Sequence, residues 1–108
     1  MLSWSANDTK PRRSALAEER RKLRRDAAHA REQADALASS VEQEEVRLAE
    51  IEALLCEREV YSDHEKARRL ANEADVLREE REAHAEEWVA AEEDAEALAQ
   101  RLAELEAE

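Results

Sequence analysis

Apolar side chains recur along this chain in alternating steps of four and three, the spacing that lays a single stripe down an α-helix. The first run takes Leu16, Arg20, Leu23, Ala27, Ala30, Ala34, Leu37, Val41, Glu44, Leu48, Ile51, Leu55 and Arg58, of which ten of the thirteen are apolar. A second run takes Ala67, Leu70, Ala74, Leu77, Arg81, His84, Trp88, Ala91, Ala95, Leu98, Leu102 and Leu105, broken only by Arg81 and His84. Between them lies Glu59-Val60-Tyr61-Ser62-Asp63-His64-Glu65, the one stretch that interrupts the pattern. Ser62 and Glu65 match the S-x-x-E capping box, in which the serine accepts from the N3 amide and the glutamate reaches back to the N-cap amide. The pattern therefore predicts an all-α fold, a two-helix antiparallel coiled-coil hairpin over residues 12–108. Helix one is expected over about 13–59, the turn over about 60–63 and helix two over about 63–106. Residues 1–11 lack periodicity and end in Pro11, whose ring disfavours helix in the residue before it, so they are expected to form a disordered lead-in.

The two stripes can be laid against each other. Pairing positions whose numbers sum to 125 puts the fold-back between Ser62 and Asp63 and sets Leu55 with Leu70, Ile51 with Ala74, Leu48 with Leu77, Glu44 with Arg81, Val41 with His84 and Leu37 with Trp88. Alanine layers follow, Ala34 with Ala91 and Ala30 with Ala95, so the helices are expected to pinch toward the open end. The polar intruders Glu44 and Arg81 face each other in this alignment. A charge inside a seam costs desolvation unless it is paired, and a matched pair penalises slipped alignments, so the two are expected to act as a register lock rather than as catalytic groups.

Composition narrows what such a hairpin can do. Glycine and phenylalanine are absent and 43% of residues are charged, which leaves apolar area for a seam but not for a thick core. Without glycine neither a P-loop nor a G-x-G-x-x-G turn can form, so nucleotide binding by those means is excluded. Cys56 is the single cysteine, which rules out an internal disulfide or a cysteine-based zinc site and suits a cytoplasmic setting. No apolar run is long enough to cross a membrane, and no signal-peptide pattern opens the chain. Cys56 and His64 lack a third partner, and His84 has no second ligand at metal spacing, so no catalytic, cofactor or metal site is expected.

Charge is unevenly placed. Residues 1–31 carry nine Lys/Arg against four Asp/Glu, whereas residues 32–108 carry eight against twenty-five, for a net charge of −12. Arg12, Arg13, Arg20, Arg21, Lys22, Arg24 and Arg25 sit at a helix start, where the macrodipole disfavours cations. Either helix two neutralises them, for example Arg21 by Glu104, Arg31 by Asp94 and His29 by Glu96, or an external polyanion does. Near the turn, Glu57 is expected to face Arg68 and Glu59 to face Lys66.

At this point the residues resemble a family. Leu55-Cys56-Glu57-Arg58-Glu59-Val60-Tyr61 resembles the L-A-D-P-x-x-Y turn of the C-terminal coiled-coil domain of Uup-type ABC-F ATPases. Glu86-Glu87-Trp88 resembles that domain's E-x-W, and Arg12-Arg13 with Glu18-Glu19-Arg20-Arg21-Lys22-Leu23 resembles its basic start. Glu57-Arg58 replaces the family's Asp-Pro and removes its helix breaker, and the two ATPase domains are absent from this chain. The single register predicts a monomer without catalytic function, and the resemblance implies a two-helix appendage to ABC-F ATPase domains that contacts nucleic acid, whether DNA or ribosomal RNA, and positions the parent protein. Tyr61 and Trp88 carry most of it. Two other readings stand beside this one: a structural module whose stripe pairs with another protein chain, and a tRNA-binding arm of the seryl-tRNA synthetase kind.

Overall fold

The computed structural model describes the backbone of residues 6–107 and the side chains from Arg12 to Ala107. Two long helices dominate: α1 (Ala6–Leu55) and α3 (His64–Ala107), joined through the single turn α2 (Arg58–Tyr61), with no strand among the described residues. They pack on each other in opposite directions and form an elongated helical hairpin of 94 × 18 × 15 Å. Of the lead-in expected over residues 1–11, residues 1–5 lie outside the described residues, while 6–11 are helical and extend α1 toward the N-terminus. Pro11 falls in the second turn, where it removes one intrahelical donor without ending the helix.

Burial follows the stripe. Leu23, Ala30, Ala34, Val41, Glu44, Leu48 and Ile51 are buried on α1 and Ala74 and Ala95 on α3, while the remaining stripe positions on these two helices are half-buried. The tightest packing lies toward the turn, where Leu48, Ile51 and Ala74 form a core with Leu55, Leu70 and Leu77 against it. Those six residues are the members of three expected layers. Farther out, Ala34 is fully buried, which a side chain of one methyl achieves only where a neighbouring helix comes close.

The reversal is solved without glycine. No residue with described backbone has positive φ, so the left-handed cap that usually ends a helix is not used. Instead α1 tightens, with the Cys56 amide bonding Ala53 O at 3.2 Å and the Glu57 amide bonding Leu54 O at 3.0 Å. Glu57 then turns extended, with φ −79 and ψ 134. One helical turn follows and drives Val60 into the junction, where it is 2% exposed beside Leu54 and Leu70. Helix one therefore ends at Leu55 and not near Glu59, because burying Val60 requires the chain to leave the α1 axis first.

The cap also differs from expectation. Asp63 Oδ1 accepts from the Lys66 amide at 3.1 Å, which makes Asp63 the N-cap of α3. Ser62 instead donates its hydroxyl to Arg58 O at 2.5 Å, and the Ser62/Glu65 capping box does not form. A shorter turn segment would have let Ser62 serve; with α2 present, Ser62 is already its C-cap. Asp63→Ala should cost about 0.5–2 kcal/mol of unfolding free energy in urea, and Ser62→Ala markedly less; the reverse ranking would return the cap to Ser62.

In the polar layer, Glu44 is buried and turns to His84, whose Nδ1 lies 2.8 Å and 3.1 Å from its two carboxylate oxygens. The expected Glu44–Arg81 pair is not made; Arg81 is half-buried and enters no ion pair among the described residues. Glu44 and His84 both follow the same side of the seam, in adjacent layers, so a diagonal contact needs less extension than reaching across to the guanidinium. Double-mutant cycles on urea unfolding should give Glu44–His84 a coupling of about 1 kcal/mol and Glu44–Arg81 close to none. A larger coupling to Arg81 would show that the register lock lies where the alignment first put it.

Candidate nucleic-acid interface

The basic stretch of α1 winds around the helix rather than along one line. Helical spacing sets Arg13, Arg20 and Arg24 on one flank of the seam, Arg21 and Arg25 on the outer face and Lys22 on the opposite flank. All except Arg20 are exposed among Arg12, Arg13, Arg20, Arg21, Lys22, Arg24 and Arg25.

Arg20 is drawn into the seam, where its Nη2 donates to the Leu105 carbonyl at 3.4 Å while its Nε is buried without a partner. A cation beside the carbonyl end of a helix is favourable, so the antiparallel α3 relieves part of what the α1 macrodipole opposes. Arg24 bonds Glu106 at 2.8 Å across the seam, and Arg21 bonds Glu18 at 2.8 Å along α1 instead of reaching the expected Glu104. Arg12, Arg13, Lys22 and Arg25 enter no ion pair among the described residues. Among the described residues, three of the seven cations are thus bonded within the hairpin and four enter no ion pair.

Farther along, Arg31 pairs with Glu92 and with Asp35 rather than with Asp94. The Trp88 indole donates to the same Glu92 at 3.2 Å, which ties the tryptophan edge to this ion pair. Near the turn Arg47 makes two bonds to Glu73, at 2.5 Å and 2.9 Å, and one to Glu50 at 3.1 Å. The expected pairs of His29 with Glu96, Glu57 with Arg68 and Glu59 with Lys66 are absent among the described residues; in the last two cases the inserted α2 shifts residues 57–59 off the α1 axis.

Tyr61 is exposed, at 55%, and the buried side chain of the turn is its neighbour Val60. Val60 lies off the stripe and gave no periodic signal; being the only β-branched apolar residue in the turn was the available clue. Cys56 is exposed and free, and no group of acidic, histidine or cysteine side chains able to hold a metal occurs among the described residues. No helix of the described residues is long and apolar enough to cross a membrane.

Comparison with protein-family models, curated proteins and solved structures gives no match to this chain. None of these comparisons links the chain to ABC-F ATPases; Tyr61 lies at the turn and Trp88 is half-buried in α3.

The ion pairs carry a pH signature. Hydrogen bonds from Arg47, Arg31 and Arg21 hold the carboxyls of Glu73, Glu92 and Glu18 below the usual carboxylate range, and the same contacts raise Arg47 and Arg31. A carboxyl whose folded value is depressed contributes stability above its unfolded value of 4.5 and loses it as pH falls through the lower folded value. The wild type should therefore melt above a Glu73→Gln, Glu92→Gln variant at neutral pH. That gap should close progressively below about pH 4.5 in circular-dichroism melts. A gap that persists in acid would assign the effect to packing rather than to the charges.

Proposed function

We propose that this chain is a non-catalytic antiparallel coiled-coil module that contacts nucleic acid through the exposed cations of its basic N-terminal stretch. The observation that carries the reading is the set Arg12, Arg13, Lys22 and Arg25, left without carboxylate partners among the described residues while the neighbouring Arg20, Arg21 and Arg24 are taken up by the hairpin. These four lie near the start of α1, where the helix macrodipole opposes cations, and a polyanion would complete them. The resemblance to the C-terminal domain of Uup-type ABC-F ATPases supports DNA or ribosomal RNA as that polyanion, in the cytoplasm, with the module positioning attached ATPase domains.

A module whose stripe pairs with another chain is the alternative. The stripe here is buried against the chain's own α3, which disfavours that use of it.

Repulsion from a net charge of −12 should keep the isolated hairpin a weak binder, at about 10⁻⁴ to 10⁻⁶ M near physiological salt. Fluorescence anisotropy with a labelled duplex DNA and a labelled RNA hairpin should show binding at low salt that weakens steeply as salt rises. Replacing Arg12, Arg13, Lys22 and Arg25 together by Glu should abolish it, while reversing Lys66, Arg68 and Arg69 near the turn should matter little. No affinity for either probe at low salt, or a greater loss from the turn variant, would overturn the proposal.

A further inference from the structure

The two flanks of the seam are finished differently. On one, arginines of α1 reach carboxylates of α3: Arg24 to Glu106 and Arg31 to Glu92, with the Trp88 indole on the same Glu92. On the other, between the basic end and the Glu44–His84 contact, the helices leave an open groove with an apolar floor of Ala30, Leu37 and Ala91. Ala36 and Ala90 form its shoulders and Gln33, Glu87 and Asp94 its rim. Toward the open end the groove gives way to a stretch of the same flank where Lys22 and Arg101 stand beside Leu23 and Leu98. Toward the turn it is closed where Arg47 bridges to Glu73.

Ala30 to Glu44 spans about 20 Å at helical rise, enough for some fourteen residues of a third helix lying along the pair. Alanine shoulders let a helix backbone approach closely, as ridges into a shallow groove require. The rim fixes the charge of what lies there. Glu87 and Asp94 have no cation within ion-pair distance among the described residues, although Glu92 and Glu106 on the other flank are each matched by an arginine. Phosphate is repelled by this rim, whereas lysine or arginine along the α3-facing edge of an apolar helix face completes it.

We propose that this groove docks one basic amphipathic helix of a partner protein, with small apolar side chains against Ala30, Leu37 and Ala91 and cations against Glu87 and Asp94. The surface is distinct from the basic stretch, and the inference stands whether or not that stretch binds nucleic acid.

The test uses the full chain and a fluorescein-labelled synthetic helix with an alanine and leucine face edged by lysine and arginine. A counterpart edged by glutamate serves as the negative probe. The basic peptide should bind and the acidic one should not. Glu87→Lys with Asp94→Lys should weaken binding about tenfold or more. Ala90→Trp, which fills the groove without altering charge, should weaken it comparably. Glu86→Lys with Glu93→Lys makes the same charge change on the outer face of α3 and should leave affinity within about twofold. Circular dichroism confirms that each variant remains helical. Equal loss from the outer-face variant would reduce the effect to general attraction by an acidic protein and overturn the proposal. So would a hairpin that self-associates in sedimentation and dissociates on Ala90→Trp, since the groove's occupant would then be a second copy of this chain.

Discussion

A seam one layer deep is the only place where this chain can bury apolar surface, and every other feature is arranged around keeping that seam closed. With no phenylalanine and few large aromatics, each layer contributes little, and alanine supplies much of the outer half. Thin burial of this kind is stabilised by length rather than by depth. It also makes register decisive, because sliding by a residue turns the stripe away from its partner along the whole hairpin. The best-packed layers, around Ile51 and Ala74, sit next to the reversal, where chain connectivity already limits sliding.

The reversal shows how one absent residue type shapes a structure. A glycine after Leu55 could have taken a left-handed cap and returned the chain in a few residues. Lacking it, the chain keeps φ negative throughout, spends Glu57 in an extended conformation and inserts α2, with Val60 as the plug that makes the detour favourable. The stripe and its alignment were legible in the sequence, since both depend on spacing alone. Leu48, Ile51, Leu55, Leu70, Ala74 and Leu77 could be grouped from position numbers and do form one core. Val60 and Asp63 were not legible in that way, because a non-periodic segment is organised by local hydrogen bonding and by one buried side chain.

The polar contacts mark a second limit of spacing arguments. A register places α-carbons in layers, but a long side chain chooses among several partners within its reach. Glu44 could extend toward Arg81 or lie diagonally toward His84, and Arg31 could meet Asp94, Glu92 or Asp35. Sequence sums distinguish none of these, whereas distance and the side of the seam do. The division of the basic stretch into held and exposed cations was hidden for the same reason. Seven cations look alike in a sequence, and only the position of α3 separates Arg20 and Arg24, which it engages, from Arg25 on the outer face.

These choices leave the hairpin chemically lopsided along two axes. Along its length, an end carrying exposed cations is followed by a body with an excess of carboxylates, so a polyanion meets attraction at one end and repulsion elsewhere. Around its circumference, one flank is stitched by Arg24–Glu106 and Arg31–Glu92, while the other presents an apolar floor beneath unmatched Glu87 and Asp94. On the α1 side of this groove the rim residue is the neutral Gln33, which offers Glu87 and Asp94 no charge. A single hairpin can in this way hold opposite charges apart on separate surfaces, because a rigid pair of helices prevents its own basic end from folding back onto its acidic flank.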